Sequence, residues 1–254
     1  MFKLAFGLLL SFAIGGSLGL LGGGGSIITV PVLIYVLGVD ARQAIGMSLA
    51  VVGLTSFIGT MLHARRGHVV WKTGLFFGLA GAVFAPLGAR LTYAISPAAL
   101  LVLFAVLMMA VAILMLTRSS RALDDRGGRD HPLKAGAAGA FTGVLTGFLG
   151  VGGGFLIVPA LVLFGSLAMH EAVGTSLLVI AINSFAGLLG HLSHGGFDPV
   201  LATFVSLCAA GGMMLGAKLS PRVSADRLRL WFIAFMIAIA LLLFAKNCQA
   251  LFGA

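Results

Sequence analysis

The chain has 254 residues, of which 60% are hydrophobic and 9% charged, with a mean hydropathy of +1.14. A soluble domain carries roughly a quarter charged residues, so that class is excluded. The net charge of +9 does not point to nucleic acid, because Lys and Arg cluster in short loops between apolar runs, as in the cytoplasmic loops of membrane proteins.

Taken in order, residues 4–21 form an apolar helix that stops at the cluster Gly22, Gly23, Gly24 and Gly25. Residues 27–37 follow as a second apolar run of about half a membrane thickness, so the two read as a hairpin. After a polar turn with Asp40 and Arg42, residues 44–62 form a full span that leads to His63. A basic loop with Arg65, Arg66, His68 and Lys72 precedes two further spans, 73–91 and Pro97–Thr117, and Pro86 is expected to kink the first of them. Residues 119–134 are the only hydrophilic stretch of any length, which makes them a surface linker. The second half then repeats the order: 135–149, a glycine cluster, 155–164, 172–192, 200–219 and 228–245.

The repetition is one of sequence as well as hydropathy. From Gly15 to Gly67, 19 of 53 positions are identical to the residue 128 places on, against roughly a tenth expected from composition. Gly22, Gly24, Gly25 and Pro31 recur as Gly150, Gly152, Gly153 and Pro159, and Ala44, Gly46, Ser48 and Leu49 as Ala172, Gly174, Ser176 and Leu177. The first segment therefore belongs to a structural unit and is not read as a cleaved signal. Residues 1–118 are one transmembrane repeat, 119–134 a cytoplasmic linker and 135–254 the other repeat.

Loop charge indicates how the halves are related. The 65–72 loop is basic, whereas its counterpart 193–200 has no Lys or Arg. The next pair reverses, with Arg90 alone in one turn and Lys218, Arg222, Arg227 and Arg229 in the other. Under the positive-inside rule, equivalent loops then lie on opposite sides of the membrane. The fold class expected is an all-α polytopic membrane protein of two inverted-topology repeats, each a glycine-broken hairpin plus three transmembrane helices, with the linker inside and both termini outside.

Inverted repeats with broken helices are the architecture of secondary carriers. Backbone outside a helix is tolerated at membrane depth only where it is buried in protein or lines a cavity, and a helix start presents free N–H groups and a dipole end that suit an anion. Gly23, Gly24, Gly25 and Ser26 are the substrate-binding candidates of the first half, and Gly152, Gly153 and Gly154 those of the second. Ser48, Thr55 and Ser56 share one helix face, as do Ser176, Asn183 and Ser184, and these join the set with Thr175. Asn183 has an amide in mid-span whose hydrogen-bonding sites need partners in protein or a cavity. His63 and His191 are repeat partners and candidates for proton coupling. No catalytic residue is assigned: Glu171 and Asp198 stand at span ends, and neither paired acid-base chemistry nor a metal cage has ligands. Cys208 and Cys248 offer neither a metal spacing nor a disulfide framework, and no cofactor is expected. Neither glycine cluster is followed by the Lys-Ser or Lys-Thr of a phosphate loop.

The doubled pattern from Gly22 to Pro31 with Ala44 to Leu49, and from Gly152 to Pro159 with Ala172 to Leu177, resembles the TauE/SafE family of sulfite and sulfonate exporters over essentially the full length. Met47 departs from that pattern where the second copy has Thr175. The resemblance implies a multi-pass carrier of small sulfur-containing anions in a bacterial inner membrane. An anion channel, or a proton- or sodium-coupled uptake carrier for a small organic anion, is the alternative, and a homo-oligomer is left open.

Overall fold

The computed structural model describes residues 2–92, 97–117, 132–149, 154–192 and 196–252. The described residues form helices and no strand. Among the described residues ten α-helices run in chain order: α1 Phe2–Leu21, α2 Ser26–Pro31, α3 Ala41–Ala64, α4 Trp71–Thr92, α5 Pro97–Thr117, α6 Pro132–Leu149, α7 Gly154–Leu163, α8 Met169–Leu192, α9 Pro199–Leu219 and α10 Ala225–Phe252. Six of them, α1, α3, α5, α8, α9 and α10, contain stretches long and apolar enough to cross a bilayer. Large apolar side chains such as Leu9, Val83, Leu189 and Leu207 point outward, as they do in a protein whose outer solvent is lipid.

The helix boundaries have local causes. α1 ends at Gly22, which takes φ +84° and returns its N–H to the Leu18 carbonyl at 2.8 Å; only glycine adopts that conformation without strain. α2 continues past Pro31 as a wider π-helical stretch, Val32–Val36, where proline leaves the regular hydrogen-bond ladder one donor short. The Asp40 carboxylate caps α3 through the Arg42 N–H, and Asp198 caps α9 through the N–H groups of Val200 and Leu201.

Packing follows the small residues. α1 lies along α9 because Gly15, Gly19, Gly212 and Gly216 bring backbone against backbone, and α4 lies along α6 through Gly139 against Phe77 and Gly143 against Gly81. Other pairs join helices five apart in order: α2 touches α7, α3 packs on α8 and α5 on α10. The α3–α8 contact runs head to tail. Gly46 faces His191, Gly53 faces Ser184, Gly59 faces Leu177 and Gly174 faces His63, so numbers rise along one helix as they fall along the other. The hairpin expected from residues 4–37 is present as α1 and α2, with Gly7 beside Leu37 at its open end.

Candidate substrate site

The starts of the two short helices meet. Ser26 opens α2 and Gly154 opens α7, and 154 minus 26 is 128, so these are repeat partners. A Cβ on Gly154 would lie 2.5 Å from the Ser26 hydroxyl oxygen, and one on Gly23 would run into the Gly154 carbonyl. Gly23 meets backbone and Gly154 meets the Ser26 side chain, and neither leaves room for a Cβ. Ser26 Oγ donates to the Gly23 carbonyl at 2.9 Å, closing the first turn. Gly22 presses on Ser176 of α8, where a Cβ would stand 2.5 Å from its Oγ, and that hydroxyl donates to Val173 O at 2.7 Å.

The remaining candidates divide into those near this meeting point and those held elsewhere. Gly24 faces the Phe235 ring of α10 and Gly25 faces the Ile14 carbonyl of α1, so Gly24 lets α10 approach the break and Gly25 serves the packing of its own hairpin. Gly152 and Gly153 lie outside the described residues. Ser48 and Ser176 are at opposite ends of the antiparallel α3–α8 pair; 12 residues of α3 separate Ser48 from the level of Ser176, about 18 Å of helix. Thr55 and Asn183 share the central level. Thr55 is fully buried and donates back to Val51 O at 2.7 Å, while Asn183 turns toward Gly81 of α4. Ser56 Oγ and Asn183 Oδ1 are buried there without a hydrogen-bond partner, and Ser184 is buried beside Gly53. Thr175 Oγ1 accepts the Val70 N–H at 3.0 Å, which fixes the loop before α4.

His63 and His191, the repeat pair, do not meet. Head-to-tail packing puts His191 by Gly46 at one end of α3 and His63 at the other. His63 instead contacts Gly19 O through Nε2 at 3.1 Å and lies near His68 and His170. Sequence spacing carried no sign of that cluster, because 102 residues separate His68 from His170. Arg66 reaches the Ala217 carbonyl and His170 reaches Ser220 O and Val223 O at 3.2 and 3.1 Å. The basic loop of the first half and the basic turn of the second therefore share one end of the bundle. A crevice of about 110 Å³ lies away from the helix starts, between α5, α6 and α7, and its lining of Leu107, Phe141, Leu145, Leu156 and Leu163 is apolar. Apart from Thr142 it offers no polar side chain to orient an anion.

A bundle with six helices long and apolar enough to cross a bilayer defines a multi-pass membrane protein. The family model "Sulfite exporter TauE/SafE" matches residues 7–243, and the chain belongs to that family. It is 38% identical to a probable membrane transporter protein of Xylella fastidiosa (strain Temecula1) over 91% of this chain and 90% of that one. It is 32% identical to the probable membrane transporter protein YdhB of Bacillus subtilis, over 85% and 91% of the two chains. A probable membrane transporter protein of Methanocaldococcus jannaschii, MJ0441, is 28% identical over 88% of each. No solved structure matches the chain. The protein is a membrane transporter of the TauE/SafE family.

Proposed function

We propose that the protein is a secondary carrier that exports sulfite or a small organosulfonate across a bacterial inner membrane by alternating access. The observation that carries this reading is the contact of Ser26 with Gly154, repeat partners that both begin interrupted helices. A two-fold axis passes through such a contact, and the head-to-tail α3–α8 packing supports an axis in the membrane plane, hence inverted repeats of residues 1–118 and 135–254 joined by the 119–134 linker. Two helix starts aimed at one point offer free N–H groups and about half a positive charge each, an environment for an anion without a buried Lys or Arg.

Gly23, Ser26, Gly154 and Ser176 form the centre of the proposed site, flanked by Thr55, Ser56, Asn183 and Ser184; Ser48 lies further along α3, and Thr175 is engaged by the Val70 N–H. The backbone contact between Gly23 and Gly154 leaves no room for an anion. This conformation is then the closed one, and binding separates α2 from α7. Direction follows from charge: a potential negative inside drives a monovalent anion outward by about 2.3 kcal/mol per 100 mV, so export needs no coupled ion. Purified protein in liposomes is expected to pass sulfite or an alkanesulfonate saturably, faster when the potential pulls the anion out. Lack of saturation would indicate a channel, and no flux at either polarity would end this reading.

A further inference from the structure

Where the 65–72 loop meets the turn after α9, three histidines stand in a row. The ring centroids of His170 and His68 are 5.4 Å apart, and those of His68 and His63 are 6.1 Å apart. Two tautomers follow from the partners. A carbonyl only accepts, so His63 Nε2 beside Gly19 O and His170 Nε2 beside Ser220 O and Val223 O must each carry a proton. The Nδ1 of each neutral ring is then a bare lone pair. His63 is fully buried, and the Nδ1 atoms of His63 and His68 are both buried without a hydrogen-bond partner.

Charged groups of both signs face this cluster. Arg66 comes from the loop, and α8 contributes His170 and Glu171. α1 contributes the Gly19 carbonyl, and α9 with its following turn contributes the carbonyls of Ala217, Ser220 and Val223, next in sequence to Lys218 and Arg222. The Glu171 carboxylate is engaged by the Ala168 N–H at 3.1 Å. Burial, and then His170 and Arg66, hold the His68 imidazole below the usual histidine range against the pull of Glu171. The row is also one-sided. His63 has His191 as its repeat partner, but the positions 128 residues from His68 and His170 are Gly196 and Arg42.

We infer that His63, His68 and His170 form one proton-binding site on the basic-loop side, and that a proton held there favours opening of that side. This rests on the carrier reading for its consequence, though not for the site itself. In the packing seen here, a proton on Nδ1 would create an imidazolium with no acceptor, beside Arg66; a conformation that admits water binds that proton better, so protonation shifts the population toward it. The link to the helix break is direct. Gly19, held by His63, is three residues before Gly22, which ends α1 and presses on Ser176. For the sign, the closed form binds fewer protons than the hydrated one between its depressed value and the ordinary value of about 6.5, so it loses ground as pH falls through that window.

Trp71 begins α4 three residues after His68, and the chain has only one other tryptophan, Trp231. With Trp231→Phe in nanodiscs, Trp71 emission is expected to change reversibly between about pH 8 and 5, with a midpoint at or below about 6.5. His68→Gln should hold the high-pH emission throughout, and His68→Arg, a fixed charge, the low-pH emission. A flat curve for the parent, or a transition that survives His68→Gln combined with His170→Gln, would overturn the site. No substrate enters that measurement. In liposomes, flux of an alkanesulfonate, whose charge is constant over this range, should rise at least about threefold on acidifying the basic-loop side and stay level in His68→Gln. Flux with no such rise overturns the coupling of the proton to opening, whereas absence of all flux with the Trp71 transition intact overturns the carrier reading and leaves the proton site standing.

Discussion

Two hydroxyl residues adjacent on α8 have different work. Thr175 Oγ1 accepts the backbone N–H of Val70, and its repeat partner is the fully buried Met47. Removing that acceptor leaves a donor with no partner, so Thr175→Val is expected to lower stability by about 1–3 kcal/mol, seen as a lower melting temperature in detergent. Ser176 touches the glycine break, and its hydroxyl can rotate from Val173 O to an anion. Ser176→Ala is expected to leave the melting temperature almost unchanged while weakening anion binding about tenfold, the value of one charge-assisted hydrogen bond near 1.4 kcal/mol. Equal effects of the two substitutions on both readouts would contradict this division. The sequence placed both residues on a membrane helix correctly, yet their different partners were not legible there, since Val70 and Gly22 reach them only through tertiary packing.

At the scale of elements, glycine has two jobs that composition cannot separate. At Gly22 the backbone needs φ +84° and at Gly23 it needs contact with another backbone, whereas along α1, α6 and α9 glycine simply lets helices approach. The first break was readable because four glycines in a row, Gly22 to Gly25, followed by Pro31 and echoed 128 residues on by Gly150, Gly152, Gly153 and Pro159, disfavour a continuous helix. The packing glycines were less so, because one glycine in an apolar helix looks like another. α6 offers the comparison. A side chain at Gly139 would run into the Phe77 backbone, while nothing lies within 4 Å of one at Gly136. Gly139→Leu is expected to cost about 1–3 kcal/mol or more by forcing α6 from α4, and Gly136→Leu to be near neutral, as judged by the fraction of monodisperse protein and its melting temperature. If both are tolerated, the α4–α6 contact is looser than its geometry requires.

For the whole molecule, the 128-residue register and the asymmetry of loop charge were legible in the sequence, while the way the halves interlock was not. Each half pairs its first helix with the fourth helix of the other, α1 with α9 and α6 with α4, so neither repeat is a compact unit alone, and no local pattern announces such an exchange. The interlock explains why repeat partners are found both far apart and in contact. Residues on the proposed axis, such as Ser26 and Gly154, meet; residues distant from it, such as His63 and His191, are carried to opposite ends. Lys72 and Val200 test this without reference to substrate. They are repeat partners at the second residues of α4 and α9, and both are exposed. With Cys208→Ser and Cys248→Ser removing the native thiols, Lys72→Cys should react with a membrane-impermeant maleimide only in inside-out vesicles, and Val200→Cys only in right-side-out ones. Labelling of both from one side would make the repeats parallel, and the two helix starts could not then alternate between the faces of the membrane as the carrier mechanism requires.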